Sequence, residues 1–297
     1  MKILDRILVA LDGSETAEAI LPHVRRLLRR QDSELILVRA VHSPLSEEQA
    51  SAIEALIGQA REYVATMKER LDQEGIRASV EVRVGPPAGV LLDIAEEKRV
   101  SLIAVTTHGR SGLSRALLGS VAEIVLRKSP VPVFALRPVE GVSSGKELGP
   151  IKGILVPTDL SGGSEAILDP AADLAKLFGA RLVFLHVRHP AKPLDGGAKD
   201  GDENEARSRL HELAALAQAQ GVPTAEILDV GEDVPEQILA NARFHGCDLI
   251  AMTSHGRSAV SRLVVGSVTE NVLRESTLPL LIVRSEQTAK QAGKIPA

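Results

Sequence analysis

Ile7-Leu8-Val9-Ala10-Leu11-Asp12 and Ile154-Leu155-Val156-Pro157-Thr158-Asp159 read as one strand written twice, 147 residues apart. Each is a short apolar run closed by an aspartate, the pattern of a strand covered on both faces. The offset persists downstream. Thr106-Thr107-His108-Gly109-Arg110-Ser111 returns as Thr253-Ser254-His255-Gly256-Arg257-Ser258, Gly119-Ser120-Val121 as Gly266-Ser267-Val268, and Pro132 as Pro279, each 147 residues on. One offset held across separated segments marks a duplication. The 297 residues divide into domains at 1–138 and 151–285, a linker at 139–150 rich in Gly and Ser, and a polar tail at 286–297. Each copy is long enough to bury its own core.

Within the first copy, Val/Ile/Leu-rich runs near 6–11, 35–40, 78–84, 101–105 and 131–136 predict strands. Helices are expected between them, near 14–30, 47–74, 87–98 and 118–128. In the second of these, Ile53, Leu56, Ile57, Ala60, Val64 and Met67 recur at three- and four-residue steps and form one apolar face. The second copy repeats the pattern of five strands and four helices. Such alternation predicts an α/β fold, a parallel sheet with right-handed crossovers. The Gly-rich stretch near 190–202, with Asp195-Gly196-Gly197 and Asp200-Gly201-Asp202, reads as a loop inside the second copy.

Composition narrows the classes of function. Aromatic residues make up 2% and Trp is absent, so the core must be aliphatic. The net charge of −4 and the lack of a dense basic patch argue against a nucleic-acid partner. Arg25, Arg26, Arg29 and Arg30 form the main basic cluster and read as a solvated helix end. The single cysteine, Cys247, excludes an internal disulfide, fits a cytoplasmic location and reads as buried packing. Met1–Arg6 carries charge and does not read as a signal peptide. No run approaches the ~18 apolar residues of a membrane span.

Ligands of open parallel sheets bind beyond the carboxyl ends of the strands, at the switch in strand order. Asp12 stands at such an end. It either helps the turn, with Ser14 capping the next helix, or accepts hydrogen bonds from a ribose or base. Asp159 recurs, although Leu160-Ser161-Gly162-Gly163-Ser164 departs from Gly13-Ser14-Glu15. The second such end is richer. Nine residues separate Gly109 from Gly119, and nine separate Gly256 from Gly266. A glycine admits positive φ and close approach of a bulky anion, and amides at a helix start face that anion. Arg110 adds charge and Ser120 a hydroxyl, so the segment reads as a phosphate cradle. His108 and His255 have no partner at metal-ligand spacing and read as turn residues; no metal site is expected. No nucleophile–base pair is legible.

Thr106-Thr107-His108-Gly109-Arg110-Ser111-Gly112-Leu113, Leu117-Leu118-Gly119-Ser120-Val121-Ala122-Glu123 and Pro130-Val131-Pro132-Val133-Phe134-Ala135-Leu136-Arg137-Pro138 together resemble the universal stress protein family. The second copy resembles it as closely. The resemblance implies two tandem flavodoxin-like, Rossmann-like domains, each a five-stranded parallel sheet of order 3-2-1-4-5 with helices on both faces. ATP-binding members carry Gly-x2-Gly-x9-Gly-Ser/Thr. Gly109, Gly119 and Ser120 match, as do Gly256, Gly266 and Ser267, whereas Thr106 and Thr253 replace the first glycine. The implied nucleotide site comprises Asp12, Ala40, Thr106, Gly109, Arg110, Gly119, Ser120 and Val121. Its second copy comprises Asp159, Val187, Thr253, Gly256, Arg257, Gly266, Ser267 and Val268.

The cofactor so implied is ATP, with Mg2+ as an optional companion, and the function a stress-response regulator that uses the nucleotide as a conformational ligand. Family members also pair through the fifth strand, which would join Val131–Leu136 to Leu280–Val283 within one chain. A homodimer is a further expected assembly, and no membrane partner is expected. The alternatives are a nucleotide-free dimerisation or interaction module, and an enzyme, at most a slow ATP hydrolase. Ser161–Glu165 resembles in part the pyrophosphate loop of ATP pyrophosphatases, but Glu165 and Ala166 depart from it.

Overall fold

In the computed structural model, residues 4–28, 33–42, 50–107, 118–138, 148–190, 200–254 and 265–284 are described. The chain divides into two compact units, Met1–Leu148 and Gly149–Ala297.

In the first unit β1 (Arg6–Ala10) is the middle of a parallel sheet. Ile7 pairs with Leu35 of β2 (Glu34–Val41) on one side and with Leu102 of β4 (Leu102–Thr106) on the other. Beyond β2 lies β3 (Ala78–Val84), and beyond β4 lies β5 (Val133–Leu136). The order is therefore β3-β2-β1-β4-β5. The chain reverses direction across the sheet between β1 and β4, and this is where a crevice opens. Helices α1 (Glu15–Glu18), α2 (Leu21–Leu27), α3 (Ala50–Gln73), α4 (Pro87–Glu97) and α5 (Ser120–Lys128) alternate with the strands. Ile7, Leu8 and Val9 are fully buried, as a strand covered on both faces requires.

The second unit repeats this arrangement. β6 (Gly153–Pro157) sits between β7 (Arg181–Arg188) and β9 (Leu249–Thr253), with β8 (Thr224–Val230) beyond β7 and β10 (Leu280–Val283) beyond β9. Its helices are α6 (Leu168–Phe178), α7 (Asp200–Ala219), α8 (Val234–Phe244) and α9 (Ser267–Glu275).

Three expectations are corrected. The helix expected over 14–30 is broken in two. Pro22, in the first turn of α2, has no N–H to give back to the preceding turn, so α1 stops and α2 restarts. The apolar face of α3 is buried from Ala60 through Val64, Met67 and Leu71, but Leu56 is 38% exposed and Ile53 and Ile57 are only half-buried, so the expected face is not fully covered at its start. Asp200-Gly201-Asp202 opens α7 rather than continuing a loop; residues 191–199, like most of the linker and the tail beyond Arg284, lie outside the described residues. No helix among the described residues is long and apolar enough to cross a membrane.

A cleft at the strand ends

The first unit carries a cleft of about 500 Å³ at the carboxyl ends of β1, β2 and β4. Its floor is Ala10, Leu11 and Asp12, its flanks Val38–Ala40 and Val105–Thr107, and its far wall Gly119–Ala122 at the start of α5. Pro87 and Leu91 of α4, Ala17 of α1 and His42 complete the lining. Small and aliphatic side chains dominate, which suits a flat apolar group held by a few polar ones.

Each polar element has a local cause. Asp12 Oδ1 accepts the Ser14 backbone N–H at 2.9 Å and its hydroxyl at 2.5 Å. Ser14 Oγ in turn accepts the Ala17 N–H at 3.1 Å and caps α1. Gly13, at φ 81, makes the turn possible. The turn role of Asp12 is thus observed. The second unit does the same. Ser161 donates its N–H and hydroxyl to Asp159 Oδ1 at 3.0 and 2.6 Å. The residues after Asp159 therefore preserve the serine that matters, and Ser161 belongs to this turn.

No side chain caps α5, so its first-turn amides face the cleft wall and favour negative charge there. Gly119, and not Ser120, is the N-cap; Ser120 is the first helical residue. Gly119 has φ −62 and Gly266 φ −59, which any residue adopts. Positive φ is therefore not what these glycines supply. Both amides are anchored alike, Gly119 N–H to the Thr107 carbonyl and Gly266 N–H to the Ser254 carbonyl, each at 2.8 Å.

Arg39 brings a cation to the β2 side, its Cζ 5.3 Å from the centre of the Tyr63 ring. The Tyr63 hydroxyl donates to Glu18 Oε1 at 2.9 Å, and burial, followed by the Glu18 carboxylate, pushes its pKa up. Among the described residues no group of three or more metal-ligating side chains exists.

Of the residues expected from sequence in the first unit, Asp12, Ala40, Thr106, Gly119, Ser120 and Val121 line this one cleft. Asp159, Val187, Thr253, Gly266, Ser267 and Val268 occupy the matching strand ends and helix start of the second unit. Gly109, Arg110, Gly256 and Arg257, with His108 and His255, lie outside the described residues. Sequence reasoning missed Arg39, His42 and Leu91 as lining residues. Arg39 lies within β2, three residues before His42, and no turn or strand-end signal marks it.

The chain matches the model of the universal stress protein family twice, over residues 4–137 and 150–284. A universal stress protein of Mycolicibacterium smegmatis is 24% identical over 290 residues, covering 94% of this chain and 96% of that one. One from Methanocaldococcus jannaschii is 29% identical over 138 residues, covering 44% of this chain and 81% of its own length. The crystal structure of a universal stress protein from Archaeoglobus fulgidus shares the fold at a TM-score of 0.73 and 24% identity, covering 95% of this chain and 98% of that one. Two tandem matches spanning nearly the whole length establish that the chain belongs to the universal stress protein family.

Proposed function

We propose that the protein binds an adenine nucleotide, ATP in the first instance, as a conformational ligand in a stress-response regulatory role. The observation that carries this reading is the convergence in one cleft of an aliphatic slot, a guanidinium and an uncapped helix start. The slot suits a base, and the helix start suits phosphate. Thr106 stands where ATP-binding relatives carry glycine, but it lines the cleft rather than closing it. Gly109 and Arg110 belong to the same proposal as phosphate contacts.

The test is the melting temperature of the purified chain with and without Mg-ATP, beside mass spectrometry of any nucleotide released on denaturation. Binding at 100 times Kd adds about 2.7 kcal/mol to stability. An unchanged melting temperature at millimolar Mg-ATP, with nothing released, would sink the reading.

A second reading, a nucleotide-free interaction module, draws on the Asp12 turn, which accounts for that aspartate without a ligand. The same melting experiment separates the two. A cytoplasmic location and pairing of the fifth strands, β5 with β10, complete the proposal; light scattering on the full chain reads whether a homodimer adds to that pairing.

A further inference from the structure

Gly13 and Leu160 hold the same place in the two units, and the substitution is not neutral. Gly13 is exposed at φ 81. Leu160 is 4% exposed at φ 59, a left-handed conformation that a leucine adopts only under constraint. Its N–H is held by Thr158 Oγ1 at 3.0 Å. The second unit thus keeps a bulky apolar residue in a strained turn where the first keeps a bare one.

The same direction of change recurs around the strand ends. Ala10, Ala40 and Ala122 line the first unit's cleft, and Pro157, Val187 and Thr269 replace them at the 147-residue offset. Thr269 Oγ1 donates to the Thr253 carbonyl at 3.0 Å, a bond Ala122 has no group to make. Thr253 is 8% exposed, whereas Thr106 is only half-buried. The cation is exchanged as well. Arg39 becomes His186, whose Nδ1–H donates to the Thr158 carbonyl at 2.8 Å, so the ring is turned onto the end of the neighbouring strand β6. Added atoms in a slot shaped for a flat base cost fit, and overpacking is not relieved cheaply in a packed interior.

We infer that the two units have diverged in occupancy: the first takes the nucleotide and the second does not. The inference rests on the nucleotide reading above and adds that only one strand-end site per chain is used. The second unit then contributes structure to the chain rather than a second binding event.

Equilibrium dialysis of the full chain with Mg-ATP, read together with hydrogen exchange, tests it. One nucleotide per chain is expected, with protection gained at residues 119–122 and none at 266–269. Two nucleotides per chain, or protection at both helix starts, overturns the inference and leaves nucleotide binding standing. One nucleotide with protection only at 266–269 overturns it by reversing the units. No binding overturns it together with the nucleotide reading. Gly119→Val should weaken affinity more than about tenfold and Gly266→Val less than about twofold; the exchange measurement on the unaltered chain decides the matter should either variant fail to fold.

Discussion

Ser161 reaches Asp159 through both its hydroxyl and its backbone N–H, at 2.6 and 3.0 Å, and thereby reproduces the bond of Ser14 to Asp12. The two serines are nonetheless unequal. Ser14 also caps α1, whereas the 3-10 turn at Ser164–Ile167 has no side-chain cap. Ser14→Ala is expected to cost about 1–2 kcal/mol, from the cap and the Asp12 bond together. Ser161→Ala, losing one bond, should cost about 1 kcal/mol or less. Thermal unfolding followed by circular dichroism gives the ranking; equal losses would mean the cap contributes nothing.

Leu160→Gly opposes two effects. Relief of the left-handed strain favours the variant by about 1–2 kcal/mol. Against it stand the loss of a buried leucine, about 1.5–3 kcal/mol, and the greater freedom of an unfolded glycine, about 0.5–1 kcal/mol. Burial wins, and a net destabilisation of about 1–2 kcal/mol is expected from denaturant titration. A stabilised variant would show that the side chain contributes little to the packing of the turn.

His23 lies on α2, where burial first and the Arg26 charge second lower its pKa from 6.5 to about 4. Above pH 6.5 the ring is neutral in both folded and unfolded chains and adds no pH dependence. As pH falls from 6.5 toward 4 the unfolded chain takes up the proton first, so stability is lost across that window. The loss is on the order of 2 kcal/mol, allowing for partial exposure of the ring. His23→Leu removes it. The variant should match the parent near pH 8 and exceed it near pH 5, and parallel curves through that range would refute the assignment.

Burial pushes the Cys247 thiol up to about 11, so little thiolate exists at pH 8. A disulfide reagent should label it only after unfolding. Gly153 explains the close packing there, since an added Cβ would lie 3.3 Å from Cys247 Cα and 3.4 Å from the Gly246 carbonyl oxygen. Both are backbone atoms that do not yield easily. Gly153→Ala should therefore destabilise the second unit by about 1–3 kcal/mol and speed labelling of Cys247. Unchanged labelling would indicate that the strand shifts without loss.

Much of the site was legible because strand ends are announced locally. Asp12, Thr106 and Gly119 each close or follow a patterned element, and the repeat gave each a second witness. Arg39 and Leu91 carry no such mark. Arg39 lies within β2 and Leu91 inside α4, and they join the cleft only when those elements pack together. The break between α1 and α2 has a sequence signal in Pro22, which the expectation of one helix over 14–30 did not use.

Periodicity, turn residues and one constant offset were sufficient to determine two α/β units with strands in alternation with helices, because these signals depend only on neighbours along the chain. Folding decided what each polar atom does. Asp12 spends one oxygen on Ser14, the glycines at the helix starts take ordinary backbone angles, and Leu160 is buried where Gly13 is bare. Such outcomes turn on contacts between residues far apart in sequence, where a methyl group or a single hydrogen bond separates an open cleft from a filled one.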